Sequence, residues 1–247
     1  MLFRSHFGQN YVATFTYVGN HGYDLSFPVD TNQVPESMLS PNDQQFRPFP
    51  LFQSINGSTN NAISNYNALE AVLSKRMSYG LQFSINYTWS HFLDDLDSSG
   101  FGAREGFQNY QNAFDPNANY SNGNFDIRNM FKGQVIYQLP FGRGHQFLNK
   151  NLLLDEVLGG WQVSGVWVIE GGNPMGITTG GNNSSNNQSG SFTQQANLVG
   201  NINLPGSTKS RLREWYNLSA LAVPAPFTYG NFLRNQVYGP GVVNVAA

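Results

Sequence analysis

From Gly80 to Ser90 the chain reads GLQFSINYTWS, and apolar and polar positions alternate without a break. Successive side chains of an extended strand point to opposite faces. Leu81, Phe83, Ile85, Tyr87 and Trp89 therefore share one side, and Gln82, Ser84, Asn86, Thr88 and Ser90 share the other. The first side is aromatic and greasy. The second is polar but carries no charge, whereas a sheet facing bulk water usually places Lys and Glu there.

The same period predicts four further strands. Residues 10–18 (NYVATFTYV) set Tyr11, Ala13, Phe15 and Tyr17 on one face. Residues 66–76 set Leu69, Ala71 and Leu73 outward, with Glu70 among the opposing positions. In residues 129–140, Phe131, Val135, Tyr137 and Leu139 oppose Lys132, Gln134 and Gln138. In residues 160–170, Trp161, Val163, Trp167 and Ile169 oppose Gln162, Ser164 and Glu170. Each run is close to the 9–11 residues a tilted strand needs to cross a bilayer.

The connections alternate in length. MSY, followed by Gly80, makes a short turn between the second and third strands and roughly twenty residues join the fourth to the fifth, whereas long Asn-, Pro- and Gly-rich segments separate the first from the second and the third from the fourth. The polar tract GGNNSSNNQSGS follows the fifth. Long loops on one rim and short turns on the other are the layout of a transmembrane β-barrel. Tyr87 and Trp89 then mark the long-loop end, with Tyr137 and Trp161 at the short-turn end, as interfacial aromatic girdles do. The expected fold is all-β, an antiparallel up-and-down meander forming an open, incomplete segment of a large transmembrane barrel. A soluble β-sandwich also alternates, but its loops are seldom this long.

Composition fits this picture. Of 247 residues only 11% are charged while 14% are aromatic, against about 25% charged in an average soluble domain. Mean hydropathy is nonetheless −0.37, because Asn, Gln, Ser and Thr fill the gap. A net charge of −2 offers no electrostatic footprint for nucleic acid. With no cysteine, disulfides and thiol chemistry are excluded. No apolar run reaches the length of a spanning helix. The opening MLFRSHFGQNYVATF shows no secretory signal.

Several phrases resemble a known family. YNALEAVLSKRMSYGLQFSINYTWSHFLDD, FDIRNMFKGQVIYQLPFGRG and LGGWQVSGVWVIEGGNPMGITT are similar to the C-terminal barrel of TonB-dependent outer-membrane receptors, nearest the Oar-like branch abundant in acidobacteria. TYVGNHGYDL matches a strand-end phrase of that branch, and YGNFLRNQVYGPGVVN its GN-xx-RN-xxx-GPG-xx-N phrase. The resemblance implies an outer-membrane location and a 22-stranded barrel that takes up a bulky nutrient. Its partners would be outer-membrane lipid, a plug domain and TonB, and it implies no cofactor and no catalysis. Signal, plug and TonB box are not found in the chain, and NVAA stands where further strands are expected. Five strands fall short of the eight that close the smallest bacterial barrel, so a barrel fragment is the expectation. The transported ligand is not legible. The alternative is a secreted, soluble β-rich module that stacks carbohydrate on exposed Trp and Tyr.

On this reading Leu69, Leu73, Leu81, Phe83, Ile85, Tyr87, Trp89, Val135, Tyr137, Trp161 and Trp167 face lipid. Glu70, Gln82, Asn86, Lys132, Gln134 and Glu170 face the lumen. The charged ones would line a transport path or pair with one another or a plug. Leu73 is expected to share a side with Phe83, and Leu69 with Tyr87. Both pairs sum to 156, which implies a loop with an odd number of residues, three being the simplest, at or against Gly80.

Candidate chemistry is sparse. In DDLDSSGFGARE, Asp95, Asp97, Ser99 and Gly100 occupy positions 1, 3, 5 and 6 of an EF-hand-like calcium loop. Position 12 is Gly106 instead of Glu, and Glu105 falls one residue early, so a solvated loop competes with calcium. His91 beside Asp94 and Asp95 suggests a hydrolytic pair, but no second acidic pair or oxyanion donor accompanies it. Lys75 and Arg76 beside the short turn, with Arg143 on the same rim, fit headgroup-level snorkelling and turn solvation.

Overall fold

The computed structural model describes residues 1–95, 110–142, 147, 159–180, 184–186 and 194–246. Its main element is one antiparallel sheet. β1 (Leu2–Phe7), β2 (Tyr11–Asp30), β3 (Asn56–Ser78) and β4 (Leu81–Asp94) follow one another in space. β5 (Ser121–Asn122) pairs with the upper end of β4, and β6 (Asn129–Gln138) pairs with the rest of it. β7 (Gln162–Glu170) comes next. Two-residue ribbons then link β8 (Pro174–Met175) to β13 (Val237–Tyr238), β9 (Thr178–Thr179) to β10 (Gln194–Gln195), and β11 (Asn197–Leu198) to β12 (Leu221–Ala222). β14 (Val242–Ala246) returns to pair with β7. The sheet is open, with β1 and β14 at its edges.

The five expected strands are all present, and the sheet is wider and taller than periodicity alone suggested. MLFRSHF, read only for a missing signal, supplies β1, and the segment after residue 241 supplies β14. β2 and β3 continue to Asp30 and Asn56, far past the alternating runs. Their upper halves are rich in Asn, Ser and Gly, and register shifts at Gly22/Leu25 and Leu25/Phe27 cancel each other. Such bulges twist the ladder without ending it. From the level of Trp89, which faces Leu69, β3 climbs roughly another 40 Å along the strand. The aromatic positions Tyr87 and Trp89 consequently sit partway up the sheet and not at its edge.

Both faces survive across every ladder. Phe15 faces Ala71, which faces Tyr87, then Phe131, Ile169 and Val243. The neighbouring row runs Thr16, Glu70, Thr88, Met130, Glu170, Val242. The parity expectation therefore holds, but the register differs from it by two. Leu73 pairs with Ile85 and Leu69 with Trp89, summing to 158.

The turn explains this. Tyr79 and Gly80 both have positive φ (51° and 76°), a two-residue loop of the type I′ kind. Ser78 then faces Leu81, an odd sum, and a bulge before Lys75 restores the even one. Lys75 fixes that bulge: its ammonium donates to the carbonyls of Ser78 (2.8 Å) and Leu81 (2.7 Å) and to Ser78 Oγ (2.6 Å). By parity this lysine lies on the apolar face, so its stem runs along that face while its head reaches the turn.

Gly133 and Trp167 show how the apolar face fills a gap. They are cross-strand partners, and a Cβ at Gly133 would lie 2.2 Å from the Trp167 ring. The indole covers the glycine, as aromatic side chains do when they rescue a bare backbone position.

Hydrophobic packing is concentrated at the upper rim. Phe27, Val29, Ala62 and Tyr110 form one cluster, with the Phe27 and Tyr110 rings stacked at 3.6 Å and 3°. Ala196, Ile202, Tyr216, Ala220, Phe232 and Val237 form another in the segment between β7 and β14.

Candidate functional site

The upper end of β4, Ser90 to Asp95, is where the wall meets the folded rim. Strand alternation sends His91 and Leu93 to the side of Trp89, and Phe92 and Asp94 to the other, because the β3–β4 register is unbroken up to Asp94. Two ion-paired knots hold this end.

The first is built by the turn Asn122–Asn129. Asp126 Oδ1 accepts the Phe92 N–H at 2.7 Å, and Ser90 Oγ donates to the Ile127 carbonyl at 2.8 Å. The Phe92 ring lies against Gly123, where a Cβ would come within 2.2 Å, so the turn requires glycine there. Asp126 Oδ2 accepts from Arg128 Nε and from the Tyr238 hydroxyl, both at 2.5 Å. Burial and the Asp126 charge both push the Tyr238 phenol up. Burial works against the Arg128 charge, yet its bonds to Asp126 and Tyr238 outweigh it and raise the guanidinium. Arg128 Nη2 donates to His91 Nε2 at 2.7 Å and to Asn122 Oδ1 at 2.8 Å. His91 Nε2 thus sits between the Arg128 guanidinium and, at 3.3 Å, Asn122 Oδ1.

The second knot is Arg234. It is fully buried and bonds Asp94 through both the carboxylate and the carbonyl, while its Nε donates to the Asn119 carbonyl at 3.0 Å. Next to it, the amides of Asn122 and Asn235 each donate to the other's backbone carbonyl at 3.0 Å. Asn235 has φ 56°, a conformation Asn tolerates better than most residues.

The phrase GNFLRNQVYGPG thus works as a clasp. Asn231 exchanges backbone-to-side-chain bonds with Leu198 and Asn197, Phe232 fills the rim core, and Arg234 and Asn235 grip β4 and β5. The backbone of Gly239 packs against Gly172, where a Cβ would overlap it.

Several predicted residues acquire definite places. Asp95 is 2% exposed, and its Oδ1 accepts the Ile63 N–H at 2.9 Å. Burial raises its carboxyl above the ordinary range. Burial, then the neighbouring Asp95 charge, raises the Tyr110 phenol. Asp97, Ser99, Gly100, Glu105 and Gly106 lie outside the described residues, as does Arg143. Among the described residues no group of three His, Asp or Glu stands ready for a metal. His91 meets Arg128 and Asn122, while Asp94 meets Arg234, so the suggested His–Asp pair is not brought together.

Three charges share the polar face. Glu70 and Glu170 occupy one row three strands apart, and Lys132 lies two residues below that row on β6. Among the described residues they form no ion pair, and only Arg128–Asp126 and Arg234–Asp94 do. Gln82, Asn86 and Gln134 share their face by register. Leu81, Phe83, Ile85, Val135, Tyr137 and Trp167 share the opposite face, and Trp161, just before β7, has the same parity and is 60% exposed.

Arg234, Asp126 and Tyr238 went unnoticed in the sequence. A buried cation needs an anion, and a lone Arg amid a Gly- and Asn-rich phrase was the available signal.

An open sheet with an uncovered aromatic face, a polar opposite face and its packed core confined to one rim defines an outer-membrane β-barrel wall. A family model described as an outer membrane beta barrel domain matches residues 4–247, and the chain belongs to that family. Its location is the bacterial outer membrane. No curated protein and no solved structure matches the chain.

Proposed function

We propose that the chain forms a sector of the wall and outer rim of a TonB-dependent receptor of the Oar-like branch, which carries a bulky nutrient inward without catalysing a reaction. The odd-numbered face, from Leu69 to Trp167, meets lipid, and the even-numbered face, with Glu70, Lys132 and Glu170, meets the lumen. The observation that supports this best is the constancy of the two faces through every ladder from β1 to β14. A soluble sheet would need a second layer over one of them. The open edges support membership in a larger barrel, since closure alone removes unpaired strand edges in lipid. Unpaired lumen charges suit contact with a plug domain, and TonB would then act on that plug.

A photo-crosslinking residue attached through a single cysteine, introduced into an intact receptor freed of any other cysteine, tests this. From Gln134 it should capture a plug segment, and from Ile85 it should capture lipid. Capture of lipid from both positions overturns the assignment.

A further inference from the structure

Just above the aromatic level, on Trp89's face of the wall, a cleft of about 400 Å³ opens between β4, β5 and the clasp. His91 forms its floor, two residues or about 7 Å along the strand beyond Trp89. That distance places the cleft among lipid headgroups, since the interfacial regions add several ångströms beyond each edge of the hydrocarbon core.

The polar groups presented there are mostly donors. Arg128 uses Nε and Nη2 on Asp126, Tyr238, His91 and Asn122, and its Nη1 meets no acceptor among the described residues. His91 lines the cleft with Nε2 engaged by Arg128 and Asn122, and its Nδ1 has no partner among the described residues. The Tyr120 hydroxyl accepts from Asn65 at 2.8 Å and keeps its own proton to give. Gln236 lines the cleft, is exposed and makes no side-chain hydrogen bond among the described residues. Opposite these donors stand Leu198, Ile202, Phe232 and Leu233. Asp126 cancels the formal charge of Arg128, so the cleft selects by hydrogen-bond donors more than by net charge.

We propose that this cleft binds a phosphate group on an acylated molecule, an outer-leaflet lipid headgroup whose phosphate meets Arg128, His91, Tyr120 and Gln236 while its apolar part follows Leu198 and Leu233. A phosphate offers several acceptors and no strong donor at neutral pH, which matches this donor set. An acyl chain continuing downward from the cleft reaches the uncovered face beside Trp89. The inference rests on the outward assignment of the odd-numbered face. Free inorganic phosphate shares the headgroup's chemistry, and the experiment separates the two sources.

The intact receptor, purified in dodecyl maltoside, is titrated with lysophosphatidic acid below its micelle concentration, with monoacylglycerol of the same chain, and with inorganic phosphate. Bound adducts are counted by native mass spectrometry. Lysophosphatidic acid should be retained roughly 10-fold or more better than either control, the scale of one charge-assisted hydrogen bond. Gln236→Glu, which adds a carboxylate without removing a fold contact, should abolish that preference. Arg128→Gln should do the same, but it also breaks the bond to Asp126, so Gln236→Glu carries the decision. Equal retention of lysophosphatidic acid and monoacylglycerol overturns the phosphate site. Retention of inorganic phosphate as strong as that of the lipid overturns the lipid source. An unchanged preference in Gln236→Glu overturns the cleft. Quenching of Trp89 by lipids brominated on the acyl chain, read in an intact receptor whose other tryptophans are all Phe, tests the outward reading independently: its absence removes that reading whatever the titration gives.

Discussion

Around Trp89 and toward the short turn, large side chains lie uncovered. Phe15, Tyr17, Leu69, Tyr87 and Ile169 are 38% to 50% exposed. Toward the rim the pattern reverses, and the largest fully buried side chains include Arg234, Gln33, Gln194, Gln195 and Asn32. The wall shows what a soluble protein would bury, and the rim buries what it would show. On the proposed reading the wall gives its apolar face to lipid and satisfies its backbone in ladders, whereas the rim holds long loops in place by pairing polar groups. Arg47 illustrates the second strategy: it is 3% exposed and donates to the carbonyls of Asn32, Gln53 and Ser185, tying three separate segments together.

The largest effect is expected from removing the rim's buried cation. Arg234→Ala removes the buried cation that pairs with Asp94 and should cost about 3–5 kcal/mol. Hydrogen exchange should then rise across residues 194–241 while β3 and the lower part of β4 stay protected. Uniform loss of protection would mean that wall and rim are one cooperative unit.

The wall answers to depth instead. Arg at Ile85, midway along the crossing, should destabilise the barrel folded in lipid by roughly 2–4 kcal/mol, and Arg at the adjacent Asn86 far less. Equal costs in refolding titrations would remove lipid from the account.

Gly133→Val sharpens the description of the same face. The new side chain meets the Trp167 ring, and overpacking of this kind costs about 1–3 kcal/mol. A smaller loss in Gly133→Val combined with Trp167→Ala than in Gly133→Val alone would confirm the stacking. Gly80→Ala probes the short turn, where φ is +76° and a Cβ would lie 2.7 Å from the Gln138 carbonyl. Here roughly 1 kcal/mol is expected from the left-handed conformation alone, seen as a lower denaturant midpoint in detergent.

The smallest effect belongs to Asp95. Its carboxyl is raised above the ordinary 3.8, chiefly by burial, so the folded state binds the proton more tightly than the unfolded chain. Its charge therefore weakens folding at neutral pH, and stability recovers as pH falls through the raised value toward 3.8. Asp95→Asn should flatten that segment of the stability–pH curve while keeping the bond from Ile63. A steeper slope in the variant would reverse the sign assigned to this group.

The alternation in residues 81–89 is visible in the sequence because a two-residue period is a property of the local backbone, and it needs no partner to be read. For the same reason the two faces, the five main strands and the distinction between long and short rims were legible. The two-residue register offset was not, because it depends on a bulge that three hydrogen bonds from Lys75 stabilise. Nor were the extensions of β2 and β3, whose Asn- and Ser-rich ends look like loops until each finds the other.

Asp94 and Arg234 stand 140 positions apart. Composition or spacing holds no record of that distance, so the candidate site was read from neighbours in sequence, as His91 beside Asp94, when its real neighbours come from across the fold. What the sequence determined by itself is which side of the wall each residue occupies, since strand geometry fixes it locally. Which charges meet, how far the strands rise above Trp89 and how the clasp closes on β4 were decided by tertiary structure alone, because buried polar groups take their partners from whatever the folded chain brings within hydrogen-bonding reach.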